Sequence, residues 1–354
     1  MPEKTTVGFI GGKFLPLHEG HLYAIREAAG RVDELYVILS SSEPRDRQLC
    51  MRSTMGYVSP GVRLSWIGEA VNDIPNVRIR HVEDENTDNY YDWIEGARMI
   101  RAAIGKPIDY VFSSEPEYTT IFERCYPGAA HVLIDPARSH VDVSATRVRD
   151  DVYAQWEKLP SVVRSSFVAR VAIVGTESCG KSTLTRMLAD AYDTSHVEEV
   201  GREYCERYSN MLTPEMFDDI AMGHYLRQGE RAYRSNKLLF VEAEAVVTQY
   251  YLEMYFPGRE SGLVEAIINK QAYDLVLYLE PDVVWVDDGI RFAGEERERL
   301  ANNERLKAMY QERGIGLVCI DGSYEERFEK AKGCIDDLLE RKRAGEPGYL
   351  IHRV

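Results

Sequence analysis

The sequence VAIVGTESCGKST, residues 171–183, decides the fold of the second half of the chain. An apolar, β-branched run leads into two glycines with the spacing G-x-x-x-x-G-K-[ST], and a helical pattern follows. This order of strand, glycine turn and helix is the context in which successive backbone N–H groups point at phosphates. We therefore predict a phosphate-binding loop, residues 175–183, at the start of an α/β domain.

The residue types of this phosphate loop suit a nucleoside triphosphate. Lys181 supplies a full positive charge for the phosphates and is predicted to be catalytic, and the Ser182 hydroxyl is a ligand for Mg2+. A glycine-rich turn without a ligand is the alternative, and the flanking strand and helix disfavour it. The predicted nucleotide-binding residues are Gly175, Thr176, Glu177, Ser178, Cys179, Gly180, Lys181, Ser182 and Thr183.

Two glutamates end a later strand of the same half, KLLFVEAEA from Lys237. Because side chains alternate along a strand, Glu242 and Glu244 are predicted to project from one side of it. We assign Glu242 to Mg2+, and Glu244 to orienting or deprotonating an acceptor hydroxyl. A pair of solvated glutamates at a strand end is the alternative, which the phosphate loop makes less favoured.

The segment WVDDGIRFAG, residues 285–294, places an arginine between two glycines. This composition favours a mobile lid that brings Arg291 onto the transferring phosphoryl group. An ordinary surface loop with a salt-bridged arginine is the alternative. His224 lies in a helical pattern, where a lone histidine is more often a packing residue than a ligand.

The first half begins with its own strand, VGFIGG from Val7, which leads into the sequence KFLPLHEGH, residues 13–21. Four further apolar runs, from Glu34, Asn76, Asp109 and Ala130, indicate a parallel sheet with helices on both faces. At the carboxyl end of the first strand, His18, His21 and Lys13 are placed to contact phosphate oxygens.

A second polar cluster in the first half is VSATRVR, residues 143–149. Ser144 and Thr146 stand at a predicted helix start, and Arg147 and Arg149 follow one turn later, which suits a phosphate clamp. A helix N-cap without a ligand is the alternative. The presence of both polar clusters in one domain favours the functional interpretation.

The motifs G-K-F-x-P-x-H-x-G-H and V-S-x-T-x-x-R resemble those of the nucleotidylyltransferase superfamily. Together with residues 156–167, the phosphate loop and the segments G-R-E, A-x-G-H and W-V-x-D-G-x-R, the chain resembles the NadR-type family. This resemblance implies a Rossmann-like nicotinamide mononucleotide (NMN) adenylyltransferase domain followed by a P-loop ribosylnicotinamide kinase domain, two doubly wound parallel sheets. It also implies ATP and Mg2+ as cofactors, and nicotinamide riboside, NMN and NAD as substrates and product.

The resemblance implies site residues in both halves. In the first half it gives His18, His21, Lys13 and Arg149 catalytic roles at the triphosphate of ATP, and places Trp93 on the nicotinamide ring, while the alignment of the neighbouring tyrosines stays ambiguous. The further nucleotide-binding residues that it implies are Gly11, Gly12, Phe14, Ser144, Thr146, Arg147, Arg202, Trp285 and Asp288.

Two departures from the family pattern carry expectations. Some members begin with a helix-turn-helix repressor segment, whereas this chain reaches its first strand at Val7, so we expect no DNA-binding role. Glu242-Ala243-Glu244 stands where the family more often has D-T-D. The carboxylates persist one methylene longer, and the middle hydroxyl is lost.

Length and composition limit the number of domains, the partners and the cellular location that we expect. The 354 residues predict two domains, which we place at 1–160 and 161–354. Forty-three basic against 58 acidic residues give a net charge of -15, which disfavours DNA and anionic membranes as partners. Six scattered cysteines without a C-x-x-C pair and the lack of a long apolar stretch predict a cytoplasmic protein. Homo-oligomer formation stays open.

Two rival functions remain at this stage. The second domain can be a kinase for another nucleoside, with a first domain that serves another phosphorylated acceptor. Alternatively, the second domain can be a nucleotide sensor that switches the first without phosphorylating a small molecule. These patterns do not determine whether the chain prefers nicotinamide or nicotinate substrates, whether it channels the intermediate, or how efficient the two activities are relative to each other.

Overall fold

A computed structural model describes residues 5–84, 92–282 and 296–346 of the chain. The chain divides between residues 163 and 164 into two compact units, and a short helix, Ser161–Arg164, lies at the division. Within the described residues, no helix combines the length and the apolar character needed to cross a membrane.

The described residues of the first unit form a sheet of five parallel strands. They are β1 (Val7–Gly12), β2 (Glu34–Ser41), β3 (Val77–Glu83), β4 (Tyr110–Ser113) and β5 (Ala130–Leu133). Their order in the sheet is β3-β2-β1-β4-β5. The chain moves outward from β1 to β3 and then resumes on the other side of β1, so the crevice outside the carboxyl ends of β1 and β4 is a topological switch point.

Within the described residues, six α-helices belong to this unit before residue 161. They are α1 (Glu19–Ala29), α2 (Glu43–Met51), α3 (Pro60–Ala70), α4 (Trp93–Ile104), α5 (Thr119–Cys125) and α6 (Ala145–Asp150). Helix α4 ends at Gly105, which takes the left-handed conformation with φ 66° that glycine tolerates. The α4 side chains Ala97, Ile100 and Ile104 pack on Phe9 and other sheet residues and cover one face of the sheet.

The described residues of the second unit also form a sheet of five parallel strands. They are β6 (Ala169–Val174), β7 (His196–Val197), β8 (Leu238–Glu242), β9 (Leu275–Leu279) and β10 (Val318–Ile320). Their order is β10-β9-β6-β8-β7, with β6 in the centre. The predicted fold class, two doubly wound parallel sheets, is therefore confirmed. The two-residue strand β7 was not predicted.

In the described part of the second unit, seven α-helices follow the dividing helix, which we number α7. They are α8 (Lys181–Ala191), α9 (Val200–Tyr208), α10 (Pro214–Ala232), α11 (Ala245–Tyr255), α12 (Gly262–Lys270), α13 (Glu296–Glu312) and α14 (Tyr324–Arg343). Leu188 of α8 and Ile335 of α14 pack with Ile173 of β6 in one core cluster. This packing fixes the start of α8 at the carboxyl end of the central strand.

Candidate active sites

The phosphate loop has the backbone that its glycines allow. Gly175 has φ 146°, and a Cβ there would lie 2.7 Å from the Leu279 carbonyl oxygen. Gly180 has φ 88° and is the N-cap residue of α8. Because side chains rarely tolerate these values, both glycines are needed for the chain to curl around the helix start. The curl leaves the N-terminal N–H groups of α8 available to an anion.

Lys181 is held inside this curl. Its side chain is buried, and Nζ donates a hydrogen bond of 2.8 Å to the carbonyl oxygen of Thr176. Burial acts to lower the pKa of Lys181, but the Cys179 sulfur and the Glu199 and Glu242 carboxylates outweigh it, so the pKa is raised. The lysine therefore carries its charge at neutral pH, inside the curl of the loop.

Ser182 and Glu242 form a pair of oxygen donors beside the lysine. The Ser182 hydroxyl donates a hydrogen bond of 2.5 Å to the carboxylate of Glu242, which is 3% exposed. Burial and the nearby charge of Glu199 raise the pKa of Glu242. Hard oxygen ligands of this kind suit Mg2+, which is often held by one or two carboxylates together with substrate phosphates.

Glu244 does not lie on the strand that carries Glu242, so the prediction that the two glutamates share one side of a strand is wrong. The strand ends at Glu242, because Ala243 has φ 52° and breaks the alternation. Glu244 is the N-cap of α11, where its carboxylate accepts hydrogen bonds from the Val246 N–H, at 3.0 Å, and from the Tyr310 hydroxyl, at 2.5 Å. It is 3% exposed and is not among the residues that line the cavity next to the phosphate loop.

That cavity, of about 620 Å³, lies against residues 177–183 and extends between α9, α10 and α11. We call it the phosphate-loop cavity. Among the predicted residues, Arg202 lines it from α9, as do Glu242 and the loop residues themselves. Its other walls include Glu199, Phe217, Tyr251 and Tyr255. The lining of this cavity thus combines the phosphate loop and its lysine with aromatic and acidic side chains.

His224 also borders the phosphate-loop cavity, and its own contacts explain it. Its Nε2 lies 3.1 Å from the Glu242 carbonyl oxygen, and its Nδ1 lies 3.3 Å from Nε2 of Gln228. Burial lowers the pKa of His224 to about 4, so the imidazole is neutral. Both ring nitrogens are engaged by protein groups, which agrees with the interpretation of His224 as a packing residue. Trp285, Asp288 and Arg291 lie outside the described residues.

In the first unit, His18 and His21 form a reciprocal cap at the start of α1. The His21 N–H donates to Nδ1 of His18, and the His18 N–H donates to Nδ1 of His21, both at 3.3 Å. Their rings stack with centroids 3.7 Å apart. A Cβ on Gly20 would lie 3.2 Å from the His18 ring, so this glycine permits the close approach. Both imidazoles are fixed at the carboxyl end of β1.

Both histidines are neutral at pH 7. Burial, followed by the charge of Arg138, lowers the pKa of His18 to about 3. Burial, His18 and Arg138 also hold the pKa of His21 well below its usual range. Because both Nδ1 atoms accept hydrogen bonds, each ring carries its proton on Nε2 and can donate from there. Arg138, in the loop after β5, was not singled out from the sequence.

Lys13 has partners of its own. Its Nζ lies 2.5 Å from the carboxylate of Asp46, which also pairs with Arg63 at 2.7 Å, and both Asp46 and Arg63 are fully buried. Arg63 donates a further hydrogen bond to the Lys13 carbonyl oxygen. The lysine, whose side chain is 38% exposed, is therefore held by a buried carboxylate, and its contact with a phosphate stays a prediction.

The second polar cluster, residues 143–149, which we call the Ser144 cluster, contacts the loop after β1 through Arg149. Ser144 is the N-cap of α6, as predicted, and accepts from the Arg147 N–H at 3.3 Å. The Arg149 guanidinium donates to the Leu15 carbonyl oxygen at 2.7 Å and to the Thr146 hydroxyl at 3.1 Å. Arg147 instead pairs with Asp142, at 3.0 Å, and is half-exposed. The two polar clusters are thus joined by Arg149 and not by Arg147.

The remaining predicted residues lie along the same edge of the first sheet. Gly11 and Gly12 end β1, and Phe14, with φ 45°, places its buried ring 5.0 Å from that of His21. Trp93 opens α4, after β3, and its ring packs 4.9 Å from Tyr118. Since the strands are parallel, these residues follow carboxyl ends that share one edge.

Comparisons with known proteins agree with these two units. Residues 9–151 match the Cytidylyltransferase-like family, and residues 170–327 match the AAA domain family. The chain is 33% identical over 358 residues to the trifunctional NAD biosynthesis/regulator protein NadR of Escherichia coli (strain K12), covering 96% of this chain and 85% of that protein. It is 25% identical over 174 residues to a nicotinamide-nucleotide adenylyltransferase of Pyrobaculum aerophilum, covering 46% of this chain and 86% of the relative.

The fold also matches a solved structure over its whole length. A crystal structure of NadR protein in complex with NR superimposes with a TM-score of 0.77 and 24% sequence identity, covering 99% of each chain. At that identity the likeness speaks for the fold, while the similarity to the Escherichia coli protein extends across both units. The chain therefore belongs to the NadR family of NAD biosynthesis proteins.

Proposed function

We propose that the chain carries out two consecutive steps of NAD synthesis. The second unit phosphorylates nicotinamide riboside with ATP to give NMN, and the first unit joins NMN to the adenylyl group of a second ATP to give NAD. The observation that carries this proposal is the presence of two separate phosphate-binding constellations, one in each unit: the phosphate loop with Lys181, and the histidine pair joined to the Ser144 cluster by Arg149.

The kinase step uses the phosphate-loop cavity. The N–H groups of the loop and Lys181 bind and orient the β- and γ-phosphates of ATP. Ser182 and Glu242 would hold Mg2+, which when bound neutralises charge on those phosphates. The 5'-hydroxyl oxygen of the riboside forms a bond to the γ-phosphorus, and the bond from that phosphorus to the bridging oxygen breaks, releasing ADP. Tyr251 and Tyr255 offer aromatic surface to the base of the acceptor.

The adenylyl step uses placement and charge, with no covalent enzyme intermediate. A phosphate oxygen of NMN forms a bond to the α-phosphorus of ATP, and the bond between that phosphorus and the bridging oxygen to the β-phosphate breaks, releasing pyrophosphate. The Nε2–H groups of His18 and His21 donate to triphosphate oxygens, and Arg149 adds a full charge. In this proposal Trp93 packs on the nicotinamide ring.

The family supports the pairing of these steps. The Escherichia coli relative is named for NAD biosynthesis, and the aligned crystal structure contains NR, which is nicotinamide riboside. The product of the kinase step is the substrate of the adenylyl step, which gives the fusion a chemical reason. We infer that the protein acts in the cytoplasm, since all six cysteines are free thiols.

Two substitutions test the proposal in the full-length chain. Lys181→Ala is expected to abolish phosphorylation of nicotinamide riboside while NAD formation from added NMN continues. His21→Ala is expected to abolish NAD formation from NMN while riboside phosphorylation continues. Each reaction is followed by chromatography of the products, and circular dichroism checks folding. Loss of both activities from either single substitution in a folded protein would contradict two independent sites.

A further inference from the structure

The placement of Glu244 leaves the kinase step without the carboxylate that the sequence assigned to the acceptor hydroxyl. Glu244 is a buried helix cap bonded to Val246 and Tyr310. Glu199 is a second candidate. It is the N-cap residue of α9, two positions after the end of β7, and it lines the phosphate-loop cavity.

The sheet brings Glu199 to the reacting end of that cavity. Strand β7 pairs in parallel with β8, with Val197 opposite Val241. Glu242 follows Val241 directly, so the chain after Val197 emerges at the same edge, beside Glu242. A carboxylate at this point faces the phosphate loop across the cavity.

Glu199 differs from the carboxylates around it because it has no protein partner. Within residues 5–84, 92–282 and 296–346, it makes no hydrogen bond or ion pair through its side chain, and it does not cap the N–H groups of α9. The neighbouring Glu198 pairs with Arg186 at 3.0 Å, and Glu203 pairs with Arg227. Glu242 accepts from Ser182. Glu199 therefore remains available to a ligand.

The electrostatic surroundings place Glu199 near the phosphates. Its charge acts to raise the pKa values of Lys181, Glu242 and Tyr251, groups on three different elements that face the same cavity. An unpaired carboxylate here repels the phosphates of ATP, so it costs binding energy for that substrate. The opposite holds for an acceptor hydroxyl, which needs an oxygen to receive its proton as it attacks phosphorus.

We propose that Glu199 binds the acceptor hydroxyl and receives its proton during phosphoryl transfer. The hydroxyl oxygen forms its bond to the γ-phosphorus, the proton passes to the Glu199 carboxylate and then to solvent, and ADP leaves with the bonding electrons of the broken P–O bond. This inference rests on the proposed riboside kinase function. It makes Glu199 a catalytic residue of that step and leaves Glu244 a structural one.

Steady-state kinetics of the full-length chain test this role with three variants. Glu199→Gln keeps the shape of the side chain and removes its charge, Glu244→Gln does the same at the helix cap, and Glu230→Gln removes an exposed glutamate of α10. We expect Glu199→Gln to lower kcat for riboside phosphorylation by roughly 100-fold or more, because general-base contributions are of that size. Its KM for the riboside and its Tm are expected to stay close to those of the parent protein, and its KM for ATP in this reaction is expected to be no higher, because the repulsion between Glu199 and the phosphates is removed.

The other two variants and the parent protein distinguish a catalytic role of Glu199 from a structural one and from a failure of the proposed kinase function. Glu230→Gln is expected to match the parent protein in every quantity, and Glu244→Gln is expected to lower Tm with kcat within about 3-fold. A Glu199→Gln variant with parental kcat overturns the inference, as does a variant that changes only KM or only Tm. If the parent protein itself does not phosphorylate nicotinamide riboside, the proposed function fails first, and this result is distinct from the failure of Glu199.

Discussion

Arg327 of α14 donates a hydrogen bond to the backbone carbonyl of Cys179, inside the phosphate loop. The same guanidinium donates to the carbonyl oxygens of Gly322 and Glu280 and pairs with Asp282, and the arginine is 1% exposed. One buried side chain thus ties the phosphate loop to the segments that follow β9 and β10. The planar array of donors on arginine makes this connection, and a lysine cannot reproduce it.

Arg327→Lys is therefore expected to weaken the phosphate loop while keeping the charge. Buried carbonyl groups would lose their donors, at a cost of about 1 to 3 kcal/mol for each one left unsatisfied. We expect the KM for ATP in riboside phosphorylation to rise at least 10-fold and Tm to fall, with NAD formation from NMN unchanged. Arg343→Lys, at an exposed position of the same helix, is the matched control. Equal kinetics for both variants would show that the hydrogen bonds of Arg327 have no role in ATP binding.

Gly175→Ala is expected to disrupt the loop at its first residue. The added Cβ would meet the Leu279 carbonyl oxygen at 2.7 Å, and φ 146° is a conformation that alanine avoids. We expect the KM for ATP in riboside phosphorylation to rise at least 10-fold, while NAD formation from NMN, which uses the ATP site of the first unit, stays unchanged. Gly229→Ala is the control, because this exposed glycine lies inside α10 and an added Cβ would meet no atom within 4 Å. This substitution should stabilise the protein by up to about 1 kcal/mol. A parental KM for ATP in riboside phosphorylation by Gly175→Ala would contradict the assigned loop.

The histidine pair predicts a pH dependence of stability. The pKa of His18 is about 3 in the folded protein and near the model-peptide value of about 6.5 when unfolded. The unfolded chain therefore binds more protons between these values, so stability falls as pH drops below about 6.5. His18 accounts for a loss of about 1 to 2 kcal/mol between pH 7 and pH 5.

His18→Asn tests this dependence, because asparagine can still cap α1 but does not titrate. Urea unfolding at pH 7 and pH 5 is expected to show a smaller loss of stability on acidification in the variant than in the parent protein. An identical loss in both proteins would mean that His18 is not buried in the neutral form.

Much of the fold follows from local sequence. Apolar β-branched runs such as residues 171–174 are too continuous for a half-exposed strand, and they form the central strands of parallel sheets as predicted. Gly105 and Ser144 end and begin helices by local backbone chemistry, so their roles were also predictable. The short strand β7 was missed because two residues carry no periodic pattern.

The candidate sites were predicted less completely, because some contacts depend on distant residues. Glu244 was assigned by strand alternation, and the positive φ of Ala243 ends that alternation one residue earlier. Arg327 lies 148 residues from Cys179 in sequence, and no local pattern links the two. For Glu199, the available signal was its position two residues before the G-R-E segment, residues 201–203, but its lack of a partner becomes visible only in the folded chain.

The most direct test of two consecutive NAD-forming steps is a mass-spectrometric time course of the purified full-length protein with isotopically labelled nicotinamide riboside, ATP and Mg2+. The predicted result is labelled NMN that rises first, followed by labelled NAD with release of ADP and pyrophosphate. Consumption of ATP without any labelled NMN or NAD would contradict the account.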